Sequence, residues 1–499
     1  MSEQSRAFPD RPSLRYLKLE AKRRLAAGEF ATLDQTQLAI AREHGMASWT
    51  ALKHHIDQRA PLSHALTQMR WVISRFATAD APEWTLPDDE ELRQHFDDHY
   101  LSLVPPDWLT RLFSTLAHRL REGLTDVRAE PLLLRARVGD LRVEAATEAD
   151  PPYRLRQLQF YPLERKVTDP RVTAPPTRHF GAVPEKAAAV AAESFGELGL
   201  VGLIVAGATD GSVWVTARGW ASLDQDEVLL PEHRFPAYAI TKLITATTVL
   251  RLVADGHVRL DEPANAYLRT IRLADDAVTV RELLSHTDGV DNPASRFADR
   301  VPDLASVTGP VAACGGPRGT FGYGHGGYAL LGQLIADVTA SGYEQAATHL
   351  VLEPLGMTSS WFPHSAPATG VVTGHRLTDE GTFEREPTQV STMPATGGLW
   401  TTAADLVRFG LTWATLLPEA LAREALTPQA DRDDGPGGQA GLGWMLQLPK
   451  DVAGHPGAGP GFSASLIIRP QLTGQPWVVF TNRQVLVEAV NERLALPIT

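Results

Sequence analysis

The stretch that most constrains this chain is Phe235 to Lys242, FPAYAITK, which opens the apolar helical run LITATTVLRLVADG. Residues three apart on a helix share a face, so position 239 lies beside the Lys242 amine. A partly desolvated amine has a lowered pKa and can take a proton. A helix N-terminus also favours negative charge on an atom placed there. Ala239 supports a helix but brings no oxygen to that place.

A chain of 499 residues has room for a large core and is expected to form two or three domains. The formal charge of -12 and a pI near 5.7 argue against a duplex nucleic-acid partner, which calls for a basic face. A cationic or neutral small substrate fits better, and a small-molecule or peptide substrate is the partner expected. Cys314 is the single cysteine, so no intramolecular disulfide can form; it reads as a packed thiol and suits a reducing compartment. The opening MSEQSRAFPDRPS lacks a basic start followed by an apolar core, and no run reaches membrane-spanning length, so a cytoplasmic location without a membrane partner is expected. No metal-ligand spacing or phosphate loop is present in the sequence, and no cofactor is expected. Oligomeric state is left open.

Taken in order, residues 1–60 read as a helical bundle. Leu14, Leu17, Ala21 and Leu25 recur at helical spacing, Gly28 stops that helix, Thr32 and Gln35 cap a second that Gly45 ends, and Ser48 caps a third, WTALKHHI. The bundle reads as a solvated appendage or docking surface, with no catalytic role for the His54 and His55 pair. Residues 64–165 read as an α+β domain: helices on both sides of Pro105 and Pro106, then strands LLLRARV, LRVEAATE and YRLRQLQFYPL. The acidic cluster Asp88 to Glu91 reads as a solvated helix face. Four prolines mark 166–184 as a linker. In residues 185–499, LVGLIVAG and SVWVTARGW form a hairpin about Asp210-Gly211, while SASLIIRP, PWVVFTN and the closing helix QVLVEAVNERLA lie near the far end. Distant parts of the chain thus build one sheet.

Several segments resemble, in order, the penicillin-binding protein and class C β-lactamase superfamily: FPAYAITK, VRELLSHTDGV, FGYGHGGYALLGQLIADVT, LEPLGMTSSWF, ATGGLWTTAADLVRF, GLGW and GHPGAGPGF. The resemblance covers roughly residues 185–499. It implies a C-terminal α/β domain of the β-lactamase/transpeptidase type, an antiparallel sheet flanked by helices plus a helical subdomain. The 64–165 segment resembles, on FDDHYLSLVPPDWL and its element order, the domain similar to the nuclear transport factor 2 fold that precedes the hydrolase unit in some members.

The resemblance also implies roles. Ala239 stands where the family carries the nucleophilic serine of Ser-x-x-Lys, and Lys242 where it carries the lysine. Tyr323 falls at the tyrosine of Tyr-x-Asn, which shuttles protons, and His325 replaces the asparagine, which puts penicillin-type substrates in question. His455, Pro456 and Gly457 occupy the Lys-Thr-Gly place, so the imidazole is expected to bind a substrate carboxylate or to support Tyr323. Gly457 admits substrate backbone, and the N–H groups of 239 and Ala458 form an oxyanion hole. Ser285 and His286 belong to a segment that is structural in this family. The implied activity is that of a serine hydrolase cleaving an ester or amide through an acyl-enzyme, here inactivated at position 239. Acyl transfer or peptide cyclisation on the same fold, and binding without turnover by a natural pseudoenzyme, are the alternatives.

Overall fold

The computed structural model describes residues 21–43, 48–50, 52, 63–77, 85–104, 106–139, 141–162, 167–291, 297–311, 316–432, 438–471 and 475–495. Leu14, Leu17, Gly45, His54, His55, Pro105 and Cys314, and with them most of the expected third helix, lie outside that set. Two compact units emerge, 1–163 and 164–499. Among the described residues no helix is long and apolar enough to cross a membrane.

In the first unit, helices α1 (Leu33–Glu43), α2 (His64–Phe76), α3 (Asp89–His95), α4 (Asp98–Leu103) and α5 (Pro106–Leu120) precede an antiparallel sheet. Its strands β1 (Leu124–Ala129), β2 (Leu133–Val138), β3 (Leu141–Thr147) and β4 (Leu155–Pro162) lie in sequence order. Ala65, Met69, Val72 and Phe76 recur every three or four residues along α2 and are fully buried, and they share one core with Phe96, Phe113, Leu134 and Val143. Asp88 and Asp97 cap α3 and α4 by accepting backbone N–H groups. The sequence reading misses β1, a largely exposed strand whose residues, LTDVRA, carry no clear alternation.

The second unit is built on a sheet that has ten strands among the described residues. Its elements include β5 (Thr177–Phe180), α6 (Glu185–Glu197), β6 (Gly202–Thr209) and β7 (Ser212–Ser222), then α7 (Thr241–Ala254), α8 (Val280–Ser285), α9 (Gly326–Thr339) and α10 (Ala403–Thr412). Strands β8 (Met445–Gln447), β9 (Val452–Gly459), β10 (Phe462–Ile468), β11 (Trp477–Thr481) and helix α11 (Glu488–Ala495) follow nearer the C-terminal end. The order β8-β9-β10-β11-β6-β7-β5 puts the C-terminal strands beside the N-terminal hairpin, as expected from sequence. Asp210 (φ +50°) and Gly211 (φ +76°) both take left-handed backbone, the two-residue turn that matches strand twist. Part of the expected linker differs: Thr177–Phe180 pairs with β7 as the outer strand of the sheet. An edge strand has one hydrogen-bonded neighbour and tolerates nearby prolines, so neither length nor apolarity advertises it.

Helix α7 is enclosed almost all round, with Thr241–Leu250 and Leu252 buried. Its threonines are tolerated there because each hydroxyl has a partner. Thr247 and Thr248 donate to Leu243 O and Ile244 O at 2.7 and 2.8 Å, and Thr245 bonds to Ala395 O at 2.6 Å.

Candidate active site

The chain reaches α7 through a constrained approach. Phe235 and Pro236 pair with Thr401 and Trp400, and the Ala237 N–H donates to Leu399 O at 2.8 Å. A 3-10 turn, Tyr238–Ile240, follows, with Tyr238 at φ +45°. Ala239 is partly exposed, whereas Lys242, one turn on, is fully buried. The lysine nitrogen donates to Tyr323 Oη at 2.9 Å and lies 3.3 Å from His325 Nδ1. With the ammonium as donor, that imidazole nitrogen is the acceptor.

Strand β9 supplies the opposite wall. Strand β8 pairs only with Val452–Gly454, which leaves the edge from His455 onward clear of β8. Residues 455, 457 and 459 share a face, and that face meets the 3-10 turn. A Cβ on Gly457 would stand 2.3 Å from Ala237 O and 3.4 Å from Ala239 N, and one on Gly459 would stand 2.5 Å from the Tyr238 ring. Glycine is what permits this approach. Gly457→Ala is expected to push β9 off the turn and to cost about 1–3 kcal/mol, read as a lower denaturation midpoint; an unchanged midpoint would contradict the close contact.

His455 lies on that same face, buried, with its ring 5.8 Å from the Tyr323 ring. Its Nδ1 lies 2.6 Å from Pro456 O, so Nδ1–H is the donor and Nε2, which has no partner among the described residues, keeps its lone pair. Burial and the nearby Lys242 charge push its pKa down to about 3, so the ring is neutral. Ala458 points to the other face and is exposed. The predicted residues Ala239, Lys242, Tyr323, His325, His455 and Gly457 are thus brought together from three distant stretches.

Two further side chains gather near the lysine: Tyr328, which the sequence reading does not single out, and His286, which it places in a structural segment. Tyr328 lies on the buried face of α9 with its ring 5.6 Å from Lys242 Nζ, and its hydroxyl donates to Leu284 O at 2.9 Å. His286 stacks on that ring at 4.9 Å. Both lie inside segments that carry the family resemblance, VRELLSHTDGV and FGYGHGGYALLGQLIADVT. The Ser285 hydroxyl turns back on its own helix, donating to Arg281 O at 2.9 Å. Burial and Lys242 hold His286 well below the ordinary imidazole range.

These ionisations predict acid lability. His286, His455 and His375 are held below their ordinary range, His375 at about 4, all chiefly by burial. Their contribution is intact above about pH 6.5 and is lost as pH falls, because the unfolded chain takes protons that the folded one refuses. Burial lifts Asp288 to about 6, which works the other way. Burial also lowers His95 and raises Glu488, so four imidazoles stand against two carboxyls; that leaves a net difference of about two protons, and stability falls by roughly 2–3 kcal/mol per pH unit between about pH 6 and 4. Denaturant midpoints taken across that range check this, and a flat profile would refute it.

Comparison with known proteins places the chain in a family. Penicillin-binding protein 4 of Amycolatopsis lactamdurans is 29% identical over 221 residues, covering 40% of this chain and 56% of the relative. Esterase EstB of Burkholderia gladioli is 29% identical over 210 residues, 38% of this chain and 53% of the relative. The chain thus spans little more than half the length of these two curated relatives. The crystal structure of D-amino acid amidase from Ochrobactrum anthropi SV3, complexed with L-phenylalanine amide, aligns with a TM-score of 0.55 at 22% identity, over 62% of this chain and 95% of that one, a likeness of fold. The family model described as Beta-lactamase matches residues 185–496, more than half of the sequence, and this chain therefore belongs to the beta-lactamase family.

Proposed function

We propose that residues 185–499 carry the site of a serine hydrolase for an ester or amide of a small molecule or peptide, with Ala239 standing in the place of its nucleophile. The observation that carries this reading is the 2.9 Å contact between the buried Lys242 amine and Tyr323 Oη, one helical turn from a partly exposed Ala239. A serine there would lose its proton to the Tyr323 oxygen in its deprotonated form, held by the Lys242 ammonium, as it attacked a carbonyl, and the tyrosine would return that proton to the leaving group. An acyl-enzyme would form and be released by water.

The oxyanion would be held by two N–H groups. In the hairpin closed by Pro460-Gly461, Gly459 and Phe462 form the closing pair. Backbone groups alternate in direction along an antiparallel strand, which turns the Ala458 N–H toward the edge left clear of β8, next to Gly457, on which a Cβ would stand 3.4 Å from Ala239 N. Because His455 is neutral and buried, we assign it to the support of Tyr323 and not to charge pairing with a substrate carboxylate. Ala239 favours a second reading for the chain as it stands, binding without turnover, since a methyl group cannot attack. The test is to make Ala239→Ser and follow fluorophosphonate labelling and p-nitrophenyl ester turnover.

A further inference from the structure

Tyr323 is flanked by Gly322 and Gly324. Neighbours without side chains leave it wide backbone freedom, so keeping its hydroxyl on the lysine nitrogen requires a hold from elsewhere. One residue supplies that hold on both sides. His286 ends α8 in left-handed backbone, φ +58°. Its carbonyl accepts the Gly322 N–H at 2.8 Å, and its Nδ1 accepts the Gly324 N–H at 3.4 Å. The ring lies against the Tyr323 ring, 4.9 Å away and tilted by 46°, while its stacking on Tyr328 fixes it from behind. The next residue extends the attachment, with Thr287 O accepting the Gly319 N–H at 2.8 Å.

We infer that His286 is a positioning residue that clamps the Gly322-Tyr323-Gly324 segment and so holds the phenol on the Lys242 amine. This rests on the reading of Tyr323 as the proton carrier of a serine hydrolase site. The clamp needs an imidazole with a free Nδ1 lone pair, which a neutral ring with its proton on Nε2 provides. It differs from simple core filling because acceptor and ring act on the tyrosine separately.

Two substitutions separate them. His286→Asn keeps an acceptor oxygen in the place of Nδ1 and suits left-handed backbone, but removes the ring. His286→Phe keeps a ring but removes the acceptor. In the Ala239→Ser background each is expected to lower kcat about tenfold while KM for the ester stays within about twofold. In the chain with Ala239 retained, amide exchange of the 316–325 segment is expected to speed up at least about fivefold in His286→Phe and less in His286→Asn. Either kcat within about twofold of the parent for both variants, or unaltered exchange of 316–325 in His286→Phe, overturns the clamp. If Ala239→Ser neither labels nor turns over, the hydrolase reading fails by itself, and the exchange comparison still decides whether His286 holds the segment.

Discussion

Restoring an oxygen at position 239 is expected to convert a chain inert to fluorophosphonate into one that labels at a single site and turns over activated esters. The expectation rests on how little else would have to move. The side chain grows by one atom at a position that is already partly exposed, and the turn that carries it is fixed by the Ala237 bond to Leu399 and by Gly457 packed against Ala237 O. Lys242 and Tyr323 are in contact before any nucleophile is present. Nucleophile, base and oxyanion donors acting as a unit supply rate factors far above background, with general-base assistance alone giving about 10²- to 10⁴-fold. Intact mass should show one adduct, lost when Tyr323→Phe is added. Free acid as the sole product identifies a hydrolase; acyl product that rises with added amine or alcohol identifies a transferase. Failure to label and to turn over, with the fold retained, would leave the binding reading in possession of the site.

The parts of this site that were legible beforehand are those whose chemistry depends on residue type at fixed spacing. Ala239 and Lys242 are one turn apart whatever surrounds them, and the Asp210-Gly211 turn follows from the backbone freedom of its residues. Thr177–Phe180 and Leu124–Ala129 were not legible, because an edge strand with little burial needs no apolar alternation. His455 shows a different limit. Its sequence position left two roles open, binding a carboxylate or supporting Tyr323, and could not choose between them, because charge depends on burial and on what lies across the fold, and beside an enclosed lysine the ring stays neutral. How Tyr328 and His286 relate to Lys242 was hidden for a related reason: the relation exists only once α9 packs on α7 and α8 packs on α9.

Lys242→Met in the Ala239→Ser background is expected to cut turnover by about a thousandfold or more while leaving the protein as stable as its parent or more so. The two effects have one cause. A fully buried ammonium has lost its water, and its bonds to a phenol and an imidazole replace only part of that hydration. Methionine is unbranched and of similar length, fills the same channel, and removes the buried charge, a kind of change that often stabilises by about 1–4 kcal/mol. The Tyr323 hydroxyl left behind is not stranded, because the residue is 39% exposed and water can reach it. Lys242→Ala should abolish turnover equally but lower stability by about 2–4 kcal/mol, since it leaves a cavity in a helix enclosed almost all round. Equal loss of activity with opposite shifts in melting temperature would assign the lysine charge to the chemistry of the site. A methionine variant that melts lower yet still labels at the parent rate would show that the amine serves packing alone, and would take the proposed mechanism with it.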